Sequence, residues 1–411
     1  MGDRAGRSVQ VLEGIRVLEL SGFAYVPSAG AILADWGADV IKVEHPAHGD
    51  PSRGITIGGI PPGTGGFTFM WELANRGKRS VGIDVSTDDG RRLVLELAKS
   101  ADVFLTSYLP GVREKLRITE DDIRGVNPSI VYAVGSGQGH HGPENAAGGF
   151  DQTSFWYRTG MASALTEAGG HPPELPGPGF GDLSSGVALA GGISAALLHR
   201  ERTGAGVAVH GSLLATGMWM MQPSIVATEV TGEPEFRWLD RFETTNPLVN
   251  SYRTADGRYI GLTVLHADKH WREFCEAIGH PELADDERFA DHDARAANSA
   301  ACVKLLDEIF ATRTLEHWKA VLSAQGAQWA VIQQCAETRS DPQVVANGYL
   351  QAVDYGGGRS ISLVPAPVQY GDGPPRLRPA PELGANTEEV LLDNGLEWEE
   401  IERLKDQRVI T

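Results

Sequence analysis

The first 45 residues alternate between strand-like and helix-like patterns of apolar and polar positions. Residues 15–20 (IRVLEL) form a short, mostly apolar run that is typical of a buried strand. Residues 27–36 repeat apolar side chains at helical spacing up to Gly37, and residues 38–44 (ADVIKVE) predict a second strand. These elements form a βαβ unit, whose two strands lie parallel and are joined by a right-handed crossover.

The same alternation continues further along the chain. Strands are predicted at residues 80–84, 103–106 and 130–134, and helices at residues 87–99 and 119–126. Repeated βα units favour the α/β class with an open, parallel, Rossmann-like sheet.

Beyond residue 135 the pattern changes. Residues 135–181 are rich in Gly and Pro, which predicts loops, and residues 183–202 read as one helix that ends before Gly204. The remaining signals are a hairpin at residues 255–258, helices near 269–278, 300–311 and 315–324, and a last helix at 387–394. We therefore expect a large α/β domain at 1–213, a linker at 214–245, a small α+β domain at 246–335, and a return to the large domain at 336–411.

Composition restricts the possible functions. The 411 residues carry a formal charge of −18, which argues against a general nucleic-acid binder, and 50 glycines indicate many tight turns. The three cysteines are widely spaced, without a metal-binding pattern, which predicts a reducing, cytoplasmic setting. Residues 186–198 are too short a low-polarity run to span a membrane, so we expect a protein that lies off the membrane.

Two features near the predicted sheet suggest nucleotide chemistry. Glu44 ends the second strand where a ribose-binding acid lies in dinucleotide folds, but the preceding turn has one glycine, Gly22, instead of three. We therefore interpret Glu44 as a solvated strand end. Arg76 and Lys78 belong to a basic cluster, and Lys115 follows another strand. These cations either bind phosphates at the carboxyl edge of the sheet or form solvated turns, and both alternatives remain open.

Asp182 is the strongest candidate for chemistry because it lies between Gly181 and the predicted helix. It is either the N-cap of that helix or a carboxylate nucleophile. His140 and His141 are adjacent and lack partners at zinc-ligand spacing, so no metal site is predicted. The chain also has no GxSxG, HExxH or Walker A motif.

Taken together, these residues resemble the family III coenzyme A transferases and their relatives, the α-methylacyl-CoA racemases. The resemblance covers most of the chain and is most specific at LADWGADVIKVEHPAHGDPSR (33–53), NRGKRSVGID (75–84), LPGVREKL (109–116), GSGQGHHGP (135–143) and GDLSSG (181–186). It implies that Asp182 attacks an acyl-CoA to give a mixed anhydride and then an enzyme-bound CoA thioester. It further implies an interlocked-ring homodimer that needs no metal or redox cofactor, with coenzyme A as part of the substrate.

By the same resemblance, a set of residues on the large domain would hold coenzyme A: Ala24, Tyr25, His45, Asn75, Arg76, Lys78, Ser107, Tyr108, Lys115, Ser136 and Gln138. The chain has His45 where some members of the family carry arginine, and Lys115 replaces another arginine. A run of four glycines found in formyl-CoA transferases is absent, which argues against oxalate or formate as substrates.

Two alternatives remain, a racemase-like isomerase and a non-catalytic CoA-binding homologue. Racemases pair a His-Asp dipeptide with a second acid, whereas this chain has Phe150 and Asp151 there, so the imidazole is missing. The acyl donor and acceptor cannot be identified from sequence. The aromatic residues at 150 and 155–157 and the Met-rich run at 218–221 either line an acyl pocket or belong to the core.

Overall fold

The computed structural model describes residues 8–167, 169–236 and 240–411. The chain divides into two compact units, the first comprising Met1–Phe236 and Pro342–Thr411 and the second comprising Arg237–Asp341. Residues 214–245, predicted to be a linker, instead carry helices up to Thr231.

The first unit is built on a six-stranded sheet in which every neighbouring pair is parallel. Its strands are β1 (Arg16–Leu20), β2 (Asp39–Glu44), β3 (Arg79–Gly82), β4 (Val103–Thr106), β5 (Val131–Ser136) and β6 (Ala208–Ser212). The spatial order is β3-β2-β1-β4-β5-β6, so the topology reverses between β1 and β4. This is the order of doubly wound nucleotide-binding folds, and it confirms the predicted parallel α/β sheet.

Helices cover both faces of this sheet. The α-helices that precede the second unit in the chain are α1 (Tyr25–Asp35), α2 (Phe69–Asn75), α3 (Asp88–Lys99), α4 (Pro110–Leu116), α5 (Glu120–Val126), α6 (Met161–Ala164), α7 (Phe180–Thr203), α8 (Leu213–Met220) and α9 (Gln222–Thr231). A π-helical turn, Asp151–Tyr157, precedes α6. Thr87 caps α3, and Thr119 forms a capping box with Asp122 at α5, so polar residues before the apolar repeats fix both helix starts.

Helix α7 lies against α1 on one face of the sheet, and both contribute to a core that includes Val26, Leu33, Leu189 and Ile193. By length and composition alone α7 could cross a membrane, a test that the core helix of a soluble protein also passes. On the other face, Leu93 and Leu97 of α3 pack with Phe104 of β4, which stacks on Tyr132.

The second unit has its own core, around a three-stranded antiparallel sheet. Its elements are β7 (Val249–Arg253), β8 (Tyr259–Thr263), α10 (Ala267–Ala277), α11 (His292–Ala297), α12 (Ser299–Phe310), α13 (Leu315–Ser323) and β9 (Trp329–Val331). The predicted turn at 255–258 joins β7 to β8 as a hairpin.

The chain then returns to the first unit. The returning elements are α14 (Pro342–Ala346), β10 (Gln351–Asp354), β11 (Ser360–Leu363), α15 (Thr387–Asp393) and α16 (Trp398–Asp406). The sequence predicts α15 as the last helix, but α16 follows it. Ile401 and Leu404 of α16 are fully buried with Val390 and Leu391 of α15 in the core beside α3. This burial stabilises α16 as a helix.

Candidate active site

Asp182 is the third residue of α7, because the helix starts three residues earlier than the sequence pattern predicts. Gly179, with a φ of 73°, is the N-cap, and no side chain caps the helix. The interpretation of Asp182 as the N-cap is therefore wrong. Within the described residues its carboxylate has no hydrogen-bond or ion-pair partner, so it remains available to a ligand.

A second carboxylate, Asp151, lies beside Asp182. Both line an apolar cavity of about 450 Å³, together with Phe23 and Phe150. Burial raises the pKa of Asp182 to about 7, and the negative charge of Asp151 adds to the rise. Burial also raises the pKa of Asp151, although backbone N–H groups, Gln152 among them, partly oppose this.

Asp182 also borders a second space, which we call the central groove. This groove of about 220 Å³ runs over the carboxyl ends of the strands and is lined by residues that include Tyr25, Ser107, Ser136 and Leu109. The Gly22 N–H donates to Ser107 Oγ at 3.0 Å, which joins the loop after β1 to the loop after β4. The groove thus lies at the topological switch point, the usual ligand site of such sheets.

Two recesses share residues with the central groove. The His45 recess, of about 340 Å³, is lined by His45, Tyr108 and Val112 among others. The His210 recess, of about 180 Å³, contains Arg113, His140 and His210.

In the His210 recess, the rings of His140 and His210 stack with centroids 3.6 Å apart. In the part of the chain that is described, no carboxylate lies within 4 Å of the Arg113 guanidinium. Burial lowers the pKa of His210, and the neighbouring His140 and Arg113 lower it further. The same described residues contain no group of three potential ligands suited to a metal ion. Arg113 therefore supplies a cation to the recess, and the two histidine rings supply nitrogen atoms that could hydrogen-bond an anion.

Six of the residues predicted to hold coenzyme A line these spaces. Ala24 borders the apolar cavity, Tyr25, Ser107 and Ser136 border the central groove, and Tyr108 and His45 border the His45 recess. These residues come from separate loops at the carboxyl ends of β1, β2, β4 and β5, or from the start of the following helix.

The basic cluster of residues 75–78 is placed differently. Lys78 Nζ lies 2.7 Å from Glu19 Oε2 and also donates to Asn75 Oδ1 at 3.0 Å, and the Lys78 side chain has no solvent exposure. Arg76 forms a bidentate pair with Asp35, at 2.7 and 3.2 Å from Oδ2 and Oδ1. The prediction that Asn75, Arg76 and Lys78 hold phosphates conflicts with this geometry, because their polar groups are already bonded inside the protein.

Two further predicted contacts lie off the groove. Lys115 is exposed on α4 and lines none of these spaces, and Gln138 is held by Ser154 Oγ at 2.9 Å and by Arg158 at 2.8 Å. Glu44, interpreted above as a solvated strand end, is buried and receives two 2.8 Å hydrogen bonds from Arg53.

The aromatic segment divides between core and cavity. Phe155 and Trp156 are buried in the core, whereas Phe150 is 55% exposed and its ring contacts Phe23 edge-on at 5.3 Å. Phe23 and Phe150 line both the apolar cavity and the central groove, so they border the passage between the two spaces. Phe23 was not identified from sequence; its φ of 66° is rare for a residue other than glycine.

Comparison with known proteins agrees with this arrangement. Residues 12–387 match CoA-transferase family III. The chain is 33% identical to (R)-2-hydroxy-4-methylpentanoate CoA-transferase of Clostridioides difficile, over 97% of this chain and 99% of that protein. It is 29% identical to cinnamoyl-CoA:phenyllactate CoA-transferase of Clostridium sporogenes, over 98% of each.

Solved structures show the same similarity. A CaiB/BaiF family protein from Brucella suis superimposes with a TM-score of 0.80 and 26% identity, covering 94% of this chain and all of that one. The chain therefore belongs to CoA-transferase family III and is a CoA-transferase.

Proposed function

We propose that this enzyme transfers coenzyme A from an acyl-CoA to a free carboxylate through covalent intermediates on Asp182. The observation that carries the proposal is the position of the Asp182 carboxylate. It has no partner in the described structure, and it lies where the apolar cavity meets the central groove. An acyl group and a CoA arm that enter from these two spaces would meet at this carboxylate.

The reaction exchanges one activated carbonyl for another. An Asp182 oxygen attacks the thioester carbonyl, the C–S bond breaks, and CoA leaves as the thiolate, which gives an acyl–aspartyl anhydride. The thiolate then attacks the Asp182 carbonyl and expels the acyl group as a carboxylate, leaving an aspartyl-CoA thioester. The acceptor carboxylate repeats the two steps in reverse and leaves with the CoA.

The environment of Asp182 suits this role. Its raised pKa, about 7, makes the ionised carboxylate a stronger nucleophile than an ordinary aspartate, while a large fraction is still ionised near neutral pH. Asp151 contributes to this rise without occupying the space in front of Asp182.

In this proposal the thiol arm of coenzyme A lies in the central groove and points toward Asp182. The nucleotide phosphates would then lie in the recesses, where Arg113, His140 and His210 offer cationic or hydrogen-bonding groups and His45 lies on the other side. This replaces the phosphate role first predicted for the buried Arg76 and Lys78.

The apolar cavity favours an uncharged, bulky acyl group. Its lining includes Ile55, Ile57, Met70, Leu175 and Phe150, and none of its described lining residues is Lys, Arg or His. Asp151 and Glu174 add negative charge, so a dicarboxylic acyl group would place its second carboxylate near two acids. We therefore propose branched or aromatic monocarboxylic acyl groups, such as those named for the two clostridial relatives.

An interlocked homodimer is part of the proposal. Helices α8 and α9 expose an unusual amount of apolar surface, with Trp219 at 74% and Val230 at 79% exposure. A second copy of the chain would bury such a surface. Light scattering of the purified protein should give twice the mass of one chain, and a monomer would remove this part of the proposal.

The decisive experiment is to trap the covalent intermediate. Enzyme incubated with a branched-chain or aromatic acyl-CoA and then treated with hydroxylamine should carry a hydroxamate on Asp182, located by peptide mass spectrometry. Asp182→Asn is the matched control. Unmodified Asp182 in an enzyme that is turning over would refute the covalent route, and absence of any acyl-CoA turnover would favour a non-catalytic homologue.

The racemase alternative is tested separately. Phe150 offers no titratable proton at the position where racemases use histidine, so a 2-methylacyl-CoA in deuterated water should neither epimerise nor gain α-deuterium. Rapid α-exchange would instead indicate two-base chemistry, with Asp151 and Asp182 as the first pair to examine.

A further inference from the structure

Tyr25 is the first residue of α1, and its side chain packs closely beneath the carboxyl ends of β5 and β6. A Cβ on Gly211 would clash with Tyr25 Oη, and a Cβ on Gly135 would lie 2.9 Å from Tyr25 Cε1. These contacts are possible only because both strands carry glycine at this point. Tyr25 is 7% exposed, so the ring is held in a defined position.

The ring of Tyr25 is buried, but its hydroxyl is open to the groove. The hydroxyl makes no hydrogen bond with any residue in the described ranges, and it is not among the buried polar atoms that lack a partner, so it remains free to bind a ligand in the groove. The residue lines the central groove together with Asp182. Burial and the nearby Asp182 charge both raise the pKa of Tyr25, so the hydroxyl stays protonated and can only donate to an anion that forms in the groove.

We propose that the Tyr25 hydroxyl donates a hydrogen bond to the oxyanion that forms at the reacting carbonyl beside Asp182. The assignment rests on the proposed covalent mechanism. When an Asp182 oxygen adds to the thioester carbonyl, the π electrons move to the carbonyl oxygen, and Tyr25 stabilises that charge. The charge returns as the C–S bond breaks, and the proton stays on Tyr25 throughout.

This role differs from the CoA contact that the resemblance implies for Tyr25. A group that binds CoA equally in the ground and transition states changes KM, whereas an oxyanion donor changes kcat. Removing one such donor from an enzyme lowers kcat by about 10²–10³-fold.

Tyr25→Phe is therefore the informative variant, because it removes the hydroxyl and keeps the packed ring. We expect kcat to fall about 10²–10³-fold, while the KM for acyl-CoA and the melting temperature change little. The rate of hydroxamate formation on Asp182 in a single turnover should fall by the same factor, since the hydroxyl acts on formation of the anhydride.

Tyr252→Phe is the matched control. The Tyr252 hydroxyl is also buried, but it donates to the Pro247 carbonyl oxygen at 2.6 Å within the second unit and lines none of the spaces described above. This control should lower the melting temperature and leave kcat within about twofold of wild type.

A kcat of Tyr25→Phe within twofold of wild type would overturn the proposal, as would a change confined to KM. If Asp182→Asn is inactive in the same series, the covalent mechanism survives that result. If Asp182→Asn retains wild-type turnover and no hydroxamate forms, the covalent mechanism itself fails, whatever Tyr25→Phe shows.

Discussion

Two groups of charged side chains in the large unit differ in whether their charges are paired. The first group is fully buried, and the second lies at a cavity wall. In the first group, Lys42 contacts Glu19 at 3.1 Å and Asp50 at 2.9 Å, and Lys78 contacts Glu19 at 2.7 Å. In the second group, Asp151 and Asp182 are two acids that have no cation beside them among the described residues, and burial raises the pKa of both.

This difference distinguishes charged residues that stabilise the fold from charged residues that can react. A buried lysine with an ionic partner is held in one position and cannot turn toward a ligand without leaving a charge unpaired. A carboxylate at a cavity surface without a partner can react. Residue type alone therefore does not identify a functional charge; the presence or absence of a partner does.

The largest expected effect comes from removing the unpaired nucleophile. Asp182→Ala should lower kcat by roughly 10⁴-fold or more, because a methyl group cannot attack a thioester. Its unfolding free energy should stay close to that of wild type, since Asp182 makes no cap bond. A coupled activity assay and urea denaturation check both statements, and retained turnover would place the nucleophile elsewhere.

Lys78→Met should show the opposite behaviour, a loss of stability. Removing one partner of a buried ion pair costs about 3–5 kcal/mol, because the remaining charge is left poorly compensated. Burial lowers the pKa of Lys78 to about 7 although Glu19 opposes this, so the full loss is expected below pH 7, where the amine is protonated. Lys115→Met, on the exposed face of α4, is the control and should change the unfolding free energy little. Equal stability of Lys78→Met and wild type would show that Lys42 alone compensates Glu19.

Arg113→Ala tests whether the His210 recess binds the phosphates of coenzyme A. Loss of a charged hydrogen bond of about 1.5–3 kcal/mol should raise the KM for acyl-CoA roughly 10–100-fold, with kcat nearly unchanged. Lys99→Ala removes a positive charge from the end of α3, away from the carboxyl edge, and should leave KM unaltered. An unchanged KM in Arg113→Ala would show that the phosphates bind outside the His210 recess.

Asp151→Asn removes one of the two unpaired acids and should have a smaller effect, a shift in the pH dependence of kcat. Asp182 must be ionised to attack, so activity should rise with pH through its pKa of about 7. Removing the negative charge of Asp151 lowers the pKa of Asp182, and the acid limb of the pH–kcat profile should move to lower pH. A limb that stays in place would mean that burial alone sets this pKa.

Much of the large unit is predictable from local sequence. The strand at Val103–Thr106 has the predicted bounds, and Thr87 and Thr119 mark helix starts that the structure places one residue further on. Prediction is weaker where tertiary contacts decide. Strand β6, with the sequence AVHGS, is only partly buried at the edge of the sheet, so it lacks the apolar run that identifies an inner strand.

The site shows the same division. Asp182 and the family were identified from sequence, because the motifs are contiguous and their chemistry is specific. Arg113, His210 and Phe23 were not, because they are separated along the chain and reach the site only after the sheet has formed.

By itself, the sequence determined the parallel α/β class, the family and the identity of the candidate nucleophile, because each depends on residues within one segment. The tertiary structure decided which charges are available for ligands. Lys78 is basic and directly precedes a strand, so the sequence suggests a residue that could bind a ligand. In the structure its amino group instead binds Glu19, 59 residues away, inside the protein. Asp182 remains available because no cation of the described chain lies beside it, and pairing between distant segments is not encoded in any local pattern.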